Sequence, residues 1–130
     1  MKSETRWMLV DDDADILFML SVLIRKLTGA AIECHQTPEA ALAAFAAAPG
    51  HCELVITDFE MPGMDGAELC RRIRAISPGQ KIFLVTGSSL NAATARSAGF
   101  STLLKKPITL AALEAALAVA GLKTAVVCGG

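Results

Sequence analysis

Five short apolar runs, residues 7–10, 31–34, 54–57, 82–86 and 102–105, alternate with five segments whose apolar residues recur at helical spacing. This alternation constrains the fold more than any other feature. Strand and helix in strict succession predict an α/β domain, because parallel strands need a crossover between them and the crossover is normally a helix. The runs are continuously apolar instead of alternating with polar residues, as strands covered on both faces are. Boundary signals agree. Ile16, Met19, Leu20, Leu23, Ile24 and Leu27 define the first helical stripe, and Gly29 stops it. Thr37 and Pro38 open the second helix, and Pro49-Gly50 close it. Asp65 and Glu68 have capping-box spacing ahead of Leu69, Ile73 and Ile76. A fourth, alanine-rich segment covers 90–98, and the last helix starts at Thr109 with Leu110, Leu113 and Leu117 before Gly121.

At 130 residues and 53% apolar composition, one domain over 1–121 with a tail at 122–130 is expected. Twelve basic against thirteen acidic side chains, with no basic block, argue against direct nucleic-acid binding. The polar start of the chain lacks the apolar core of a signal peptide, and the most apolar stretch, 16–24, is too short to span a bilayer. A cytoplasmic protein without a membrane partner is expected. Cys34, Cys52, Cys70 and Cys128 lack C-x-x-C spacing and read as reduced thiols. In Cys34-His35 and His51-Cys52, adjacent side chains of extended chain point opposite ways, which disfavours a shared zinc ion.

Chemistry concentrates where strands end. The first run is followed by Asp11-Asp12-Asp13, the third by Asp58, the fourth ends in Thr86-Gly87 and the fifth in Lys105-Lys106-Pro107. In an open parallel sheet those carboxyl ends share one edge, and ligands bind in the crevice outside it. Carboxylates gathered there repel unless protonated or neutralised by a cation. An all-oxygen set suits Mg²⁺, and a lysine and a hydroxyl opposite it suit the charge of a transferred phosphoryl group. The inferred chemistry is Mg²⁺-assisted phosphoryl transfer. Asp13 reads better as a helix N-terminal charge than as a ligand. An EF-hand is excluded, because position six from Asp11 is Ile16 and position twelve is Val22.

The segments "LVDDDADI", "VITDFEMPGMDG", "FLVTGSS" and "LLKKPI", in this order, resemble the receiver domain of bacterial two-component response regulators, the CheY-like family. The resemblance implies a flavodoxin-like, doubly wound (βα)5 fold in three layers, with strand order 2-1-3-4-5. It implies that Asp58 is the phosphoacceptor, that Asp11, Asp12, Asp58 and the backbone carbonyl of Glu60 hold Mg²⁺, and that Lys106 pairs with Asp58 and then with the phosphoryl group. Thr86 would report the modification through its hydroxyl, and the Lys106-Pro107 bond would be cis. The implied partners are a histidine kinase or histidine phosphotransfer protein as donor, and a target protein or second copy bound through the fourth and fifth helices.

Two positions depart from the family pattern. Leu103 replaces the aromatic residue usual three places before the lysine, so a ring-flip readout is not expected there. Gly87 replaces the usual alanine, and the segment 86–99 is shorter by about half a turn. The expected function is a single-domain response regulator that is not a turnover enzyme. The alternatives are a receiver module of a hybrid kinase, a docking-only pseudo-receiver, and a haloacid dehalogenase-type phosphohydrolase. The last would need D-x-D-x-T/V on the first strand and a second acid pair after the lysine, where only Glu114 stands.

Overall fold

The computed structural model describes residues 6–87 and 102–122. Five strands, β1 (Arg6–Val10), β2 (Ala31–His35), β3 (Cys52–Asp58), β4 (Lys81–Thr86) and β5 (Thr102–Lys105), form one sheet of order β2-β1-β3-β4-β5. All pairings are parallel. The helices are α1 (Ala14–Thr28), α2 (Pro38–Ala47), α3 (Gly66–Ile76) and α4 (Leu110–Val119), with a 3-10 turn at Pro49–His51. The helix expected over 90–98 and the residues Ser88, Ser89 and Cys128 lie outside the described residues.

Successive strand residues point to opposite faces, and each face has its own core. Trp7 and Leu9 of β1 pack with Leu20, Ile24 and Leu27 of α1 and Leu113 and Leu117 of α4. Met8 and Val10 face the other way, onto Ala41 and Phe45 of α2 and Leu69 and Ile73 of α3. Each such buried side chain contributes roughly 1.5–3 kcal/mol, so the sheet is a stiff platform for whatever its edge carries. Buried Trp7 keeps its polar end satisfied by donating Nε1–H to Glu53 Oε1 at 2.8 Å.

The helix starts follow the expected chemistry. Asp13 caps α1, its carboxylate accepting from the Asp15 N–H, and Thr37 and Thr109 cap α2 and α4 in the same way. Gly29 ends α1 at φ 70°, a left-handed conformation that glycine adopts without penalty. The box at α3 is only half made: Asp65 accepts from the Glu68 N–H at 2.9 Å, but the Glu68 carboxylate turns to Arg71 and Arg72, both at 2.8 Å.

Several expectations on faces and boundaries are corrected. Met19, Ile76 and Leu110 are exposed, whereas Leu17 belongs to the core. Asp58, by contrast, stands at the tip of β3 as expected. Leu122, assigned to the tail, is buried and donates its N–H to the Leu117 carbonyl at 2.9 Å.

The close approach of α3 to the sheet rests on Gly66. A Cβ there would collide with the Asp58 carbonyl oxygen and lie 2.8 Å from Leu84 Cδ1 and 2.9 Å from Phe59 Cα. Backbone cannot give way as a flexible side chain can. Gly66→Ala is therefore expected to cost about 1–3 kcal/mol of stability, read as a lower denaturant midpoint at unchanged slope. A midpoint equal to wild type would show that the loop after β3 yields freely.

Candidate functional site

The carboxyl ends of β1, β3 and β5 deliver their side chains to one cleft of about 590 Å³. Asp11 follows β1 directly, its N–H bonded to the His35 carbonyl so that the parallel pairing continues one residue past the strand. Its Oδ1 accepts the Asp13 N–H at 2.9 Å, and its Oδ2 lies 3.6 Å from Lys106 Nζ. Asp58 is buried, and its Oδ1 lies 3.0 Å from the same ammonium. At that distance the ammonium matches the charge of the buried oxygen directly. Thr57 Oγ1 donates to the Asp58 carbonyl at 3.0 Å.

Lys106 comes from the loop after β5. Its N–H donates to the Thr86 carbonyl at 2.9 Å, and the Lys106-Pro107 bond is cis, as expected. Lys105 is exposed and Lys106 is not, which separates the adjacent lysines by role. Thr86 is fully buried as the last residue of β4, and it is not one of the described residues that line the cleft. Leu103 is half-buried.

Burial raises the pKa of Asp11 from 3.8 to about 6, against the opposing Asp13 N–H, and the charge of Asp58 adds to the rise. Burial likewise raises Asp58, partly offset by Lys106. For Lys106, burial alone would lower the pKa, but the carboxylates of Asp58 and Asp11 outweigh it and hold the ammonium above its ordinary value. The three groups form one coupled charge cluster.

Oxygen atoms of Asp11, Asp12 and Asp58 lie within 4.8 Å of one another, a group among the described residues that could hold a metal ion. The cysteine–histidine pairs form no such group there. Clustered carboxylates, all oxygen donors, whose negative charge is penalised by burial and by one another, fit a hard divalent cation. Glu60 is exposed and lines the cleft, as do Asp15 and Ile16, which sequence reasoning missed. The signal for them was available: both lie in the first turn of α1, directly after the acids.

The family described as the response regulator receiver domain matches residues 8–118. The chain belongs to this family. A response regulator receiver protein of Anaeromyxobacter sp. is 31% identical over 107 residues, which cover 81% of this chain and 44% of that protein. A receiver domain from Clostridium thermocellum superposes with a TM-score of 0.82 at 27% identity, covering 89% of this chain and 93% of that one. The receiver of Ssk1, solved in complex with the histidine phosphotransfer protein Ypd1 of Saccharomyces cerevisiae, shares the fold with a TM-score of 0.75 at 20% identity, over 88% of this chain and 86% of that one. The receiver chain spans less than half the length of the curated relatives it matches. Receiver domains of two-component signalling are signalling modules, and the strand order of this one is the family's, with an acidic cluster that fits the family's metal site.

Proposed function

We propose that this receiver accepts a phosphoryl group on Asp58 from the phosphohistidine of a kinase or phosphotransfer protein. The observation that carries the reading is the pairing of buried Asp58 Oδ1 with Lys106 Nζ at 3.0 Å in an open acidic cleft. An Asp58 carboxylate oxygen attacks phosphorus, a P–O bond forms and the P–N bond breaks. The imidazole leaves with the electron pair and is protonated. Lys106, already beside the acceptor, pairs its ammonium with the phosphoryl oxygens and offsets their charge. Asp11, Asp12, Asp58 and the Glu60 carbonyl would hold Mg²⁺, which neutralises charge on the transferring group. Thr86, anchored at the end of β4, would then draw its hydroxyl toward the phosphoryl group and pull the following loop, changing contacts with a target protein or a second copy. The surface around α4 is part of the output face in this reading.

Support for a protein donor comes from the surface beside the cleft. Phe18, Met19 and Val22 of α1 are 71%, 41% and 37% exposed, although a surface helix would normally carry polar residues there. Met19 also lines a groove of about 420 Å³ with Ile16, Pro107 and Ile108, and Ile16 and Lys106 line both groove and acidic cleft. In this reading a phosphodonor's apolar surface sits over this continuous strip, next to the acceptor. Phe18→Ala, at a site too exposed to matter for folding, is expected to slow transfer from a cognate protein donor roughly tenfold. Phosphorylation by acetyl phosphate should be unchanged, and equal slowing with both donors would remove this face from docking.

The relatives it matches are longer proteins, so the proposal concerns the receiver module, whether it acts alone or within a hybrid kinase. No helix among the described residues is long and apolar enough to cross a membrane. A haloacid dehalogenase-type reaction is not supported, since the paired nucleophile candidate stands on the third strand. The test is intact mass after incubation with acetyl phosphate and Mg²⁺: one added phosphoryl group supports the reading, and an unchanged mass leaves a docking-only pseudo-receiver.

A further inference from the structure

The phosphoacceptor cleft carries more negative charge than its chemistry requires. Six carboxylates line it, those of Asp11, Asp12, Asp13, Asp15, Asp58 and Glu60, against one ammonium, Lys106. Six negative charges against one positive leave −5, and a bound divalent cation still leaves −3. Asp11, Asp12 and Asp58 form the cation-binding group, and Asp13 is committed to capping α1. Lys106 is held between Asp58 and Asp11, so it is not available to the rim. Asp15 and Glu60 remain. Both are exposed, they come from different elements, α1 and the loop after β3, and neither has a part in the phosphoacceptor reading through its side chain.

We propose that the Asp15 and Glu60 carboxylates form an anionic rim that selects the phosphodonor: it opposes entry of free, dianionic acyl phosphates and favours a protein whose phosphohistidine is flanked by basic side chains. The inference rests on the phosphoacceptor reading and adds donor selection to it. A donor must bring a phosphoryl group, itself negative, to the Asp58 carboxylate, which lies deep in the cleft with one oxygen 3.0 Å from Lys106 Nζ. A free acyl phosphate carries two negative charges past the rim with nothing to offset them. A protein donor can offset them with lysine or arginine placed opposite Asp15 and Glu60, while its apolar surface covers Phe18 and Met19. Charge complementarity of this kind acts on encounter and on the wrong partner more than on the chemical step. With an acyl phosphate the balance is simple. The Asp58 oxygen forms the new P–O bond, the bond from phosphorus to the acyl oxygen breaks, and the carboxylate leaves with the electron pair.

The experiment compares wild type with a double variant, Asp15→Asn with Glu60→Gln, which keeps the backbone carbonyl of residue 60 and the size of both side chains. Initial rates of Asp58 phosphorylation are measured with acetyl phosphate, a dianion, and phosphoramidate, a monoanion at neutral pH, each at Mg²⁺ saturating for the protein used. The acetyl phosphate rate of the double variant should rise by roughly three- to tenfold through KM, as expected for two unit charges removed at cleft distances in solvent. The phosphoramidate rate should rise less, so the ratio of the two donors changes. Added salt should speed wild type with acetyl phosphate and leave the double variant nearly flat. Phosphohistidine peptides flanked by lysine should outpace those flanked by glutamate with wild type, and that preference should shrink in the variant. Glu114→Gln, on α4 away from the cleft, is the control and should change nothing. An unaltered donor ratio and salt response in the double variant overturns the rim. Failure of wild type to be modified by any donor overturns the phosphoacceptor reading instead.

Discussion

Asp58→Asn is expected to abolish phosphoryl incorporation from every donor while leaving the fold intact. The amide has the shape of the carboxylate, so the last position of β3 and its register against Val85 are kept. What is lost is the nucleophile. An amide oxygen lacks the negative charge that attacks phosphorus, and no neighbour takes its place. Asp11 is turned toward the Asp13 N–H and Lys106, and Asp12 is exposed. Intact mass should show one phosphoryl group on wild type and none on the variant, and hydroxylamine should release the group from wild type because it is an acyl phosphate. A variant that still gains a stoichiometric, hydroxylamine-sensitive group would move the acceptor to another carboxylate. A group insensitive to hydroxylamine would move it to a hydroxyl such as Thr86.

The same residues show why so much of this site was legible before any coordinates. Asp11, Asp58 and Lys106 each close a continuous apolar run, and a parallel sheet sets all such closures on one edge, so strand order alone brings them together. The caps Asp13, Thr37 and Thr109 were legible for a local reason, a side-chain oxygen two or three residues before an orphan N–H. Faces of α1 were not. Its sequence is apolar nearly all round, so periodicity placed Met19 in the core, and only packing against Trp7 and Leu9 shows that Leu17 is inside and Met19 outside. Glu68 kept the capping-box spacing but found two guanidinium groups within reach on its own helix, and paired charges won over a backbone N–H. Asp15 and Ile16 in the cleft wall were within reach of the sequence, since both stand in the first turn of α1 directly after the acids of the site.

Metal-free protein is expected to gain stability as pH falls from about 7 toward 5, the reverse of ordinary acid denaturation, in which native carboxylates are the stabilised form. The sign follows from Asp11. Its folded pKa, about 6, lies above its ordinary 3.8 because burial penalises the charged form. A carboxyl group shifted upward contributes stability that is fully present below the unfolded value and is lost as pH rises through the folded one. Asp58 is shifted in the same direction and adds to the effect. For Asp11 alone the difference amounts to at most about 3 kcal/mol above pH 7. Asp11→Asn removes the buried charge and keeps an oxygen to accept the Asp13 N–H, so it should stabilise the protein in EDTA by up to about 3 kcal/mol near pH 7.5 and flatten the acid-side rise. Saturating Mg²⁺ should turn the wild-type profile round, since the cation binds ionised carboxylates and is displaced by protons. Thermal midpoints of both proteins across pH, with chelator and with Mg²⁺, decide it. Equal or lower stability of Asp11→Asn in EDTA would mean that Lys106 already compensates the buried charge in full. The expected gain would mean that this fold holds an unfavourable carboxylate in place for the sake of the cation and phosphoryl group that use it.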